Sequence, residues 1–202
     1  MRSSLGSIEP EESRPSHSAT PAVDPPPFEP FPVHATEQIY DSYWCGLRRD
    51  VIELAPRKLQ EYHVFEVQNA VAVVPVRPDG SIVMLWQLRH PHGKTHWEIP
   101  AGRIEKGESE EDAAARELRE ETGYRAGRIE RVASFYPTNG ISPHMATIFI
   151  AYDCEEVEPP DPDPSERFLV RVHTAEDVRA RLVRGEFQDG FTSLSLFYHF
   201  AR

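Results

Sequence analysis

The alternation of hydrophobic and polar residues predicts a chain built mainly from strands, with helices in three places. Residues 70–76 form a nearly continuous run of valine and alanine, which is typical of a central strand buried on both faces. A Pro-Asp-Gly turn at 78–80 separates this run from the next strand, predicted over 81–88. Further strands are predicted at 43–47, 51–54, 62–67, 128–134, 146–152 and 168–172.

Three segments carry helical signals. Ser109 with Asp112 three residues later matches a helix N-cap, and Gly123 matches a left-handed C-cap, so a helix is predicted between them. Two more helices are predicted at 175–183 and 192–200, separated by a glycine. Strands mixed with few helices predict an α/β fold in which helices sandwich a mixed sheet, preceded by a β-rich extension.

Proline, serine and glutamate are frequent in the first 32 residues, which include three consecutive prolines at 25–27. Such a segment has too little apolar surface to fix one conformation, so residues 1–32 are predicted to be a flexible tail. Strand signals begin at about Ile39, and the segment 33–68 is predicted to be β-rich. The remainder, 69–202, has the length of one domain with a substantial core.

The formal net charge of −11 describes an acidic protein. This balance argues against general binding to nucleic acid or to anionic membranes, because such binding calls for basic patches. Cys45 and Cys154 lie far apart without metal-ligand spacing, so both are expected to be reduced, buried thiols. No apolar run reaches transmembrane length and the N-terminus lacks a signal-peptide pattern, so a cytoplasmic location is expected.

Three carboxylates form the strongest chemical signal in the chain. Glu117, Glu120 and Glu121 stand at i, i+3 and i+4, which places them on one face of the predicted helix. Crowded carboxylates repel one another, and a hard divalent cation such as Mg²⁺ offsets that repulsion because it prefers oxygen ligands. A solvated, charged helix is the alternative interpretation, but the flanking Gly102 and Gly123 favour a site.

A set of glycine, arginine and glutamate positions resembles the signature of the Nudix hydrolases without a gap. The positions are Gly102, Glu108, Arg116-Glu117-Leu118, Glu120-Glu121 and Gly123-Tyr124. The resemblance implies a Nudix-type α/β/α sandwich. It also implies hydrolysis of a nucleoside diphosphate linked to another moiety, dependent on Mg²⁺ with Mn²⁺ as a substitute ion.

The resemblance implies a role for each position of the signature. The implied metal ligands are Glu117 and Glu121, with Glu120 as a further ligand and the backbone carbonyl of Ala101. Arg116 would pair with Glu108 and so orient the carboxylates, as groups behind metal ligands commonly do.

Two segments outside the signature resemble the ADP-ribose pyrophosphatase group of that family. They are Gln87-Leu88-Arg89 and the loop Glu98-Ile99-Pro100-Ala101-Gly102. In this group the arginine at the position of Arg89 contacts the diphosphate, and a guanidinium can fork onto two phosphate oxygens. A surface salt bridge is the alternative for Arg89. Glu98 would either orient the loop or touch the substrate.

The stretch 39–67 also resembles the N-terminal strands of that group. These strands often cross to a second subunit, so the resemblance implies a homodimer in which each active site includes residues from both chains. Tyr43 and Trp44 would then lie near the partner's nucleoside pocket, although packing in the core is the stronger expectation for each.

One loop departs from the pattern of the ADP-ribose pyrophosphatases. Asn139 stands where a proline is common and Pro143-His144 where an acidic pair is usual, so the expected substrate widens to nucleoside diphosphate sugars in general. His144 either hydrogen-bonds the substrate or is an exposed loop histidine. Hydrolysis of dinucleoside polyphosphates or of another nucleoside diphosphate derivative, and non-catalytic sensing of nucleotide sugars, remain the alternatives.

The attacking water also needs a proton acceptor. In this group a glutamate on a mobile acidic loop before the late strand often has that role, and the corresponding loop spans 155–166. Glu166 is the preferred position, with Glu158 and Asp163 as substitutes, and Glu120 is a further candidate. A solvated, proline-rich connector is the alternative interpretation of the loop.

Overall fold

The computed structural model describes residues 24–202, so most of the predicted tail lies outside the described range. Residues 24–31 carry no regular structure, and the described helices and strands all lie in the unit Pro32–Arg202. The strands are β1 (Val33–Asp41), β2 (Gly46–Ala55), β3 (Lys58–Glu66), β4 (Ala70–Pro75), β5 (Ile82–Arg89), β6 (Lys94–Glu98), β7 (Ala101–Arg103), β8 (Tyr124–Arg125), β9 (Arg128–Phe135), β10 (Ala146–Tyr152), β11 (Glu155–Glu156) and β12 (Phe168–His173). The helices are α1 (Glu110–Thr122), α2 (Ala175–Val183) and α3 (Gly190–Phe200).

A four-stranded mixed sheet in the order β7-β4-β10-β9 forms the centre of the fold. Strands β4 and β10 run parallel, whereas β7 and β9 pair antiparallel at the two edges. Side chains alternate along β4: Val71 and Val73 pack in the cluster that contains α1 residues, and Ala72 and Val74 pack in the cluster that contains α2 and α3 residues. The predicted α/β/α sandwich with a mixed sheet is therefore confirmed.

A second sheet, β12-β5-β6, brings candidate site residues together. Strand β5 pairs antiparallel with both neighbours and ends at Arg89, while β6 ends at Glu98. Only Ile99 and Pro100 separate β6 from β7, and the Pro100 carbonyl accepts a hydrogen bond from the Val73 N–H (2.9 Å). This short connection fixes the ends of β5 and β6 beside the central sheet. Strands β6 and β7 were not predicted from the sequence, because each is too short to show the two-residue alternation of hydrophobic and polar positions.

Helix α1 begins and ends where its local chemistry predicts. The Ser109 side chain accepts a hydrogen bond from the Asp112 N–H (3.1 Å), and three acidic residues in the first turn complement the positive end of the helix dipole. Gly123 closes the helix with φ of 76°. The face towards the core combines apolar and acidic residues, since Ala113, Ala114, Glu117, Leu118, Glu121 and Thr122 are all buried.

Gly123→Ala should lower the free energy of unfolding by at least about 2 kcal/mol. An added Cβ would be strained at this positive φ and would also overlap the backbone carbonyl oxygen of Glu158. Gly185→Ala is the matched control, because Gly185 also has a positive φ (69°) but no atom lies within 4 Å of a Cβ added there. It should cost only about 1 kcal/mol of left-handed strain. Urea unfolding of the two variants gives the comparison, and equal losses would show that the Glu158 loop does not resist displacement.

The N-terminal segment forms a separate antiparallel sheet in the order β1-β2-β3. The prediction that strands begin at about Ile39 was wrong, since β1 starts at Val33. The predicted strand over 43–47 was also wrong up to Cys45. The Ser42 hydroxyl donates to the Cys45 carbonyl (2.9 Å) and accepts from the N–H of Trp44 (3.2 Å) and of Cys45 (3.1 Å), which makes a turn there.

Two aromatic residues in this turn are exposed rather than buried. Tyr43 is 74% and Trp44 61% exposed, so the expectation that they pack in the core was wrong. Their rings stand edge to face, and the Arg103 guanidinium lies over both, 5.0 Å from the Tyr43 centroid and 4.4 Å from that of Trp44. Cation–π attraction of this kind contributes little to stability at exposed sites, so Tyr43 and Trp44 remain available for other contacts.

Candidate active site

The two most buried acidic residues of α1 point into the fold next to the β6–β7 connection. Glu121 is almost fully buried, and its carboxylate accepts a hydrogen bond from the Ala101 N–H (2.9 Å). Glu117 lies one turn earlier, against Gly102. A Cβ on Gly102 would overlap the Glu117 carboxylate, so the glycine is what admits this carboxylate between helix and strand.

Arg116 connects the helix to the loop before it. Its guanidinium donates to both carboxylate oxygens of Glu108 (2.8 and 3.0 Å) and to the carbonyl of Arg103 (2.9 Å). Its Nη1 donates to Glu117 (2.7 Å) and to Glu120 (3.1 Å). One arginine thus contacts three of the predicted site carboxylates, and Glu120 is the most exposed of these.

Burial and like charge raise the pKa values of the inner carboxyl groups. Desolvation raises the pKa of Glu121 well above its ordinary value, and the nearby Glu117 and Glu166 raise it further. Desolvation also raises the pKa of Glu117, although Arg116 opposes the shift. The pKa of Glu108 is lowered instead, because it accepts from Arg116. A cation bound beside Glu117 and Glu121 would therefore stabilise their ionised forms.

Arg89 and Glu98 form an ion pair beside these carboxylates. The Glu98 carboxylate is buried and accepts from Arg89 Nε (3.1 and 3.2 Å) and Nη2 (2.7 Å). Burial opposes the charge on Arg89, but Glu98, with Glu121 and Asp189, more than offsets this and raises the pKa of the guanidinium. The alternative prediction for Arg89 was a surface salt bridge. Arg89 does form a salt bridge, but its partner Glu98 is buried.

The acidic loop is attached to α1 at one end and to β5 at the other. The Val157 N–H donates to the Gly123 carbonyl (2.9 Å) and the Asp161 N–H to the Glu120 carbonyl (2.8 Å). After the loop, the Arg167 carbonyl accepts from the Leu88 N–H (2.9 Å). Glu166 lies close enough to Glu117 and Glu121 to raise the pKa of both.

All three loop carboxylates have hydrogen-bond partners, and that of Glu166 accepts from the Asp163 N–H (3.1 Å). Glu158 pairs with Arg119, and the Asp163 carboxylate accepts from the N–H and hydroxyl of Ser165 (2.8 and 2.7 Å). Of the loop carboxylates proposed from the sequence, Glu166 is thus the one the structure places beside Glu117 and Glu121. A recess of about 670 Å³ opens between α1 and the loop, lined in part by Arg116, Glu120 and Asp161.

Three further residues have surroundings that sequence patterns do not reveal. His144 is partly buried rather than an exposed loop histidine, and its Nε2 atom is buried without a hydrogen-bond partner among the described residues. Asp189 caps α3 and contributes to the charge around Arg89. His96 lies 2.8 Å from Glu98. The only sequence signal for His96 is its position two residues before Glu98, on the same face of a strand.

The donor set fits a divalent metal ion. Across residues 24–202 no three His, Cys, Asp or Glu side chains are already grouped as a metal site. Glu117 and Glu120 contact Arg116, while Glu121 contacts the Ala101 N–H. Glu117 and Glu121 nevertheless supply carboxylate oxygens, the ligands that a hard cation prefers. Their raised pKa values show that the ionised forms lack compensation, which a bound cation would provide.

Comparison with known families assigns the fold and motif to one class. The model of the NUDIX domain matches residues 66–192, more than half of the chain. The chain therefore belongs to the Nudix family.

Individual relatives agree with this assignment. The chain is 34% identical over 165 residues to a protein of Bacillus subtilis named ADP-ribose pyrophosphatase, covering 81% of this chain and 89% of the relative. It is 30% identical over 158 residues to an ADP-ribose pyrophosphatase of Mycobacterium tuberculosis, covering 77% and 76%. A crystal structure titled as an ADP compounds hydrolase superposes with a TM-score of 0.76 at 19% identity, covering 87% of this chain and 95% of that chain. That likeness supports the fold.

Proposed function

We propose that this protein hydrolyses the diphosphate of a nucleoside diphosphate sugar, with ADP-ribose as the first candidate, to a nucleoside monophosphate and a sugar phosphate. The observation that carries the proposal is the grouping of buried Glu117 and Glu121 against strand β7, with Glu166 and the Arg89–Glu98 pair beside them. The relatives from Bacillus subtilis and Mycobacterium tuberculosis support ADP-ribose as the candidate.

The chain supplies the parts that diphosphate hydrolysis needs. Water attacks one phosphorus, the bridging P–O bond breaks, and the proton of the water passes to a carboxylate. Mg²⁺, or Mn²⁺ in its place, would bind Glu117, Glu120, Glu121 and the Ala101 carbonyl, where it would neutralise phosphate charge and acidify the water. Arg89 can offer a phosphate oxygen its Nη1 group, which makes no hydrogen bond among residues 24–202, and Arg116 orients the carboxylates through its bonds to Glu108 and Glu117.

Glu166 is our proposed proton acceptor. Its place beside the inner carboxylates supports this role, and a partly exposed position allows it to return the proton to solvent.

A substrate screen in Mg²⁺ tests the activity. Release of nucleoside monophosphate is measured with ADP-ribose, ADP-glucose, GDP-mannose, UDP-glucose and diadenosine polyphosphates. Hydrolysis of one or more of the diphosphate sugars, abolished by EDTA, is the expected result. Turnover of diadenosine polyphosphates alone would replace the proposed substrate class, and tight binding without turnover would instead identify a sensing module.

We also propose a homodimer formed through residues 33–68. The N-terminal sheet carries an exposed apolar row, because Tyr40, Leu47 and Phe65 occupy paired positions on adjacent strands and the two aromatic rings are exposed. Tyr40→Glu should convert the dimer to a monomer in size-exclusion chromatography with light scattering, whereas Lys58→Glu at the β2–β3 turn should not. A wild-type monomer at micromolar concentration would contradict the proposal.

A cytoplasmic location is proposed as well. Both cysteines are free thiols, as is usual in a reducing compartment, although Cys45 is only partly buried. Among residues 24–202, no helix combines the length and apolar character that crossing a bilayer requires.

A further inference from the structure

A polar group on one face of the β12-β5-β6 sheet lies behind Arg89. Strands β5 and β6 pair so that Gln87 is opposite His96 and Leu85 is opposite Glu98. Because residues two apart on a strand share a face, Gln87, Arg89, His96 and Glu98 all project to the same side. The four side chains therefore form one continuous polar surface that ends at the guanidinium.

Glu98 is the centre of this group. Its side chain is only 4% exposed, and Arg89 donates to it from Nε and Nη2. Arg89 itself is 38% exposed, and no hydrogen bond from its Nη1 is found among the described residues. The arginine therefore has one edge on a buried carboxylate and another edge facing solvent, where an anionic group can approach.

His96 approaches the same carboxylate from the other side. Its Nε2 lies 2.8 Å from Glu98 Oε1, close enough for an ion pair, but the angle does not satisfy a hydrogen bond. Both ring nitrogens and the Oε1 atom of Gln87 are buried without a hydrogen-bond partner among residues 24–202. Buried polar atoms without partners destabilise the folded state and are rare. A buried His96 donor this close to a carboxylate therefore suggests a functional role.

We propose that His96 is a positioning residue that acts through Glu98 to prepare Arg89 for the diphosphate, an inference that rests on the proposed function. When the solvent-facing edge of Arg89 binds a phosphate oxygen, the guanidinium is shared between two anions, and its hydrogen bonds to the buried Glu98 carboxylate weaken. A small rotation of the imidazole aligns Nε2–H with Glu98 and adds a hydrogen bond that offsets this loss. His96 thus lowers the cost of sharing Arg89 between protein and substrate.

Paired variants separate this role from a packing role. His96→Leu removes the donor, whereas His96→Gln keeps an N–H donor near the position of Nε2. We expect His96→Leu to raise KM for the diphosphate sugar about tenfold, the value of one hydrogen bond to a charged group, with kcat changed less than about twofold. His96→Gln should restore KM to within about threefold of wild type. Arg179→Leu, which changes an exposed residue on α2 away from the site and from the N-terminal sheet, should change neither constant.

A double-mutant cycle tests whether the effect passes through Arg89. In an Arg89→Ala background, His96→Leu should have no further effect on KM, because the guanidinium it assists is gone. An unchanged penalty in that background, equal KM for the Leu and Gln variants, or a loss confined to kcat would overturn the proposal.

Calorimetric titration with inorganic pyrophosphate and Mg²⁺ provides a readout that does not depend on turnover. His96→Leu should bind pyrophosphate about tenfold more weakly than wild type, and His96→Gln should bind it nearly as well. Wild-type protein without hydrolytic activity would refute the proposed function alone. Equal pyrophosphate affinity of wild type and His96→Leu would refute the role of His96 alone.

Discussion

Glu121→Gln should lower kcat at least about a thousandfold, roughly 4 kcal/mol of barrier, because it removes an anionic ligand at the point where metal and phosphate charge meet. The amide keeps the shape of the side chain, and its oxygen can still accept from the Ala101 N–H. Steady-state release of nucleoside monophosphate in saturating Mg²⁺ measures the effect.

The same change should leave the metal-free protein as stable as wild type, or more stable. The pKa of Glu121 is raised in the folded state, so the carboxyl favours folding below its unfolded pKa and loses that contribution as pH rises through the folded pKa. An amide does not ionise and avoids this loss. The Tm in EDTA should therefore not fall at neutral pH, and Mg²⁺ should raise the wild-type Tm more than that of the variant.

Glu111→Gln is the matched control for this experiment. Glu111 lies in the first turn of the same helix and is exposed, so its loss should change neither kcat nor the response of the Tm to Mg²⁺. Retention of more than about a tenth of wild-type kcat by Glu121→Gln would contradict its assignment as a metal ligand.

Gly102→Ala should reduce kcat at least about a hundredfold while lowering the free energy of unfolding by about 1 kcal/mol or less. Gly102 has no positive φ, so the methyl group causes no backbone strain. Its Cβ would instead occupy the space of the Glu117 carboxylate, which must rotate away from the site. Activity is lost through the displaced ligand, whereas the fold keeps its core.

The control for this glycine is Gly190→Ala. Gly190 opens α3 and has no atom within 4 Å of an added Cβ, so alanine should be tolerated and slightly favour the helix. If Gly102→Ala kept full activity, the Glu117 carboxylate would not need its present position. Circular dichroism and urea unfolding of both variants distinguish displacement of one side chain from general unfolding.

The sequence predicts best the features that depend on neighbours along the chain. The limits of α1 follow from the Ser109 cap and the left-handed Gly123, and both are present in the structure. The central strand is recognisable because an apolar run of this length is stable only with both faces covered. The same local signals group the signature glutamates on one helix.

Features that depend on strand register are not visible in the sequence. The Arg89–Glu98 pair and the approach of His96 both require the alignment of β5 with β6, which no local pattern specifies. The Ser42 turn was missed because aromatic residues at 43 and 44 favour a strand, while side-chain hydrogen bonds from Ser42 decide the backbone.

The two attachments of the acidic loop determine how far Glu166 can travel. The Asp161 backbone is hydrogen-bonded to α1, which carries the signature glutamates, and the Arg167 backbone is hydrogen-bonded to β5, which carries Arg89. Only five residues, 162–166, span these anchors, and three of them have restricted backbone angles, because Pro162 and Pro164 are prolines and Asp163 precedes one. The length of this segment limits how far Glu166 can move. Adding or deleting one residue between the anchors would therefore change kcat without altering α1 or β5.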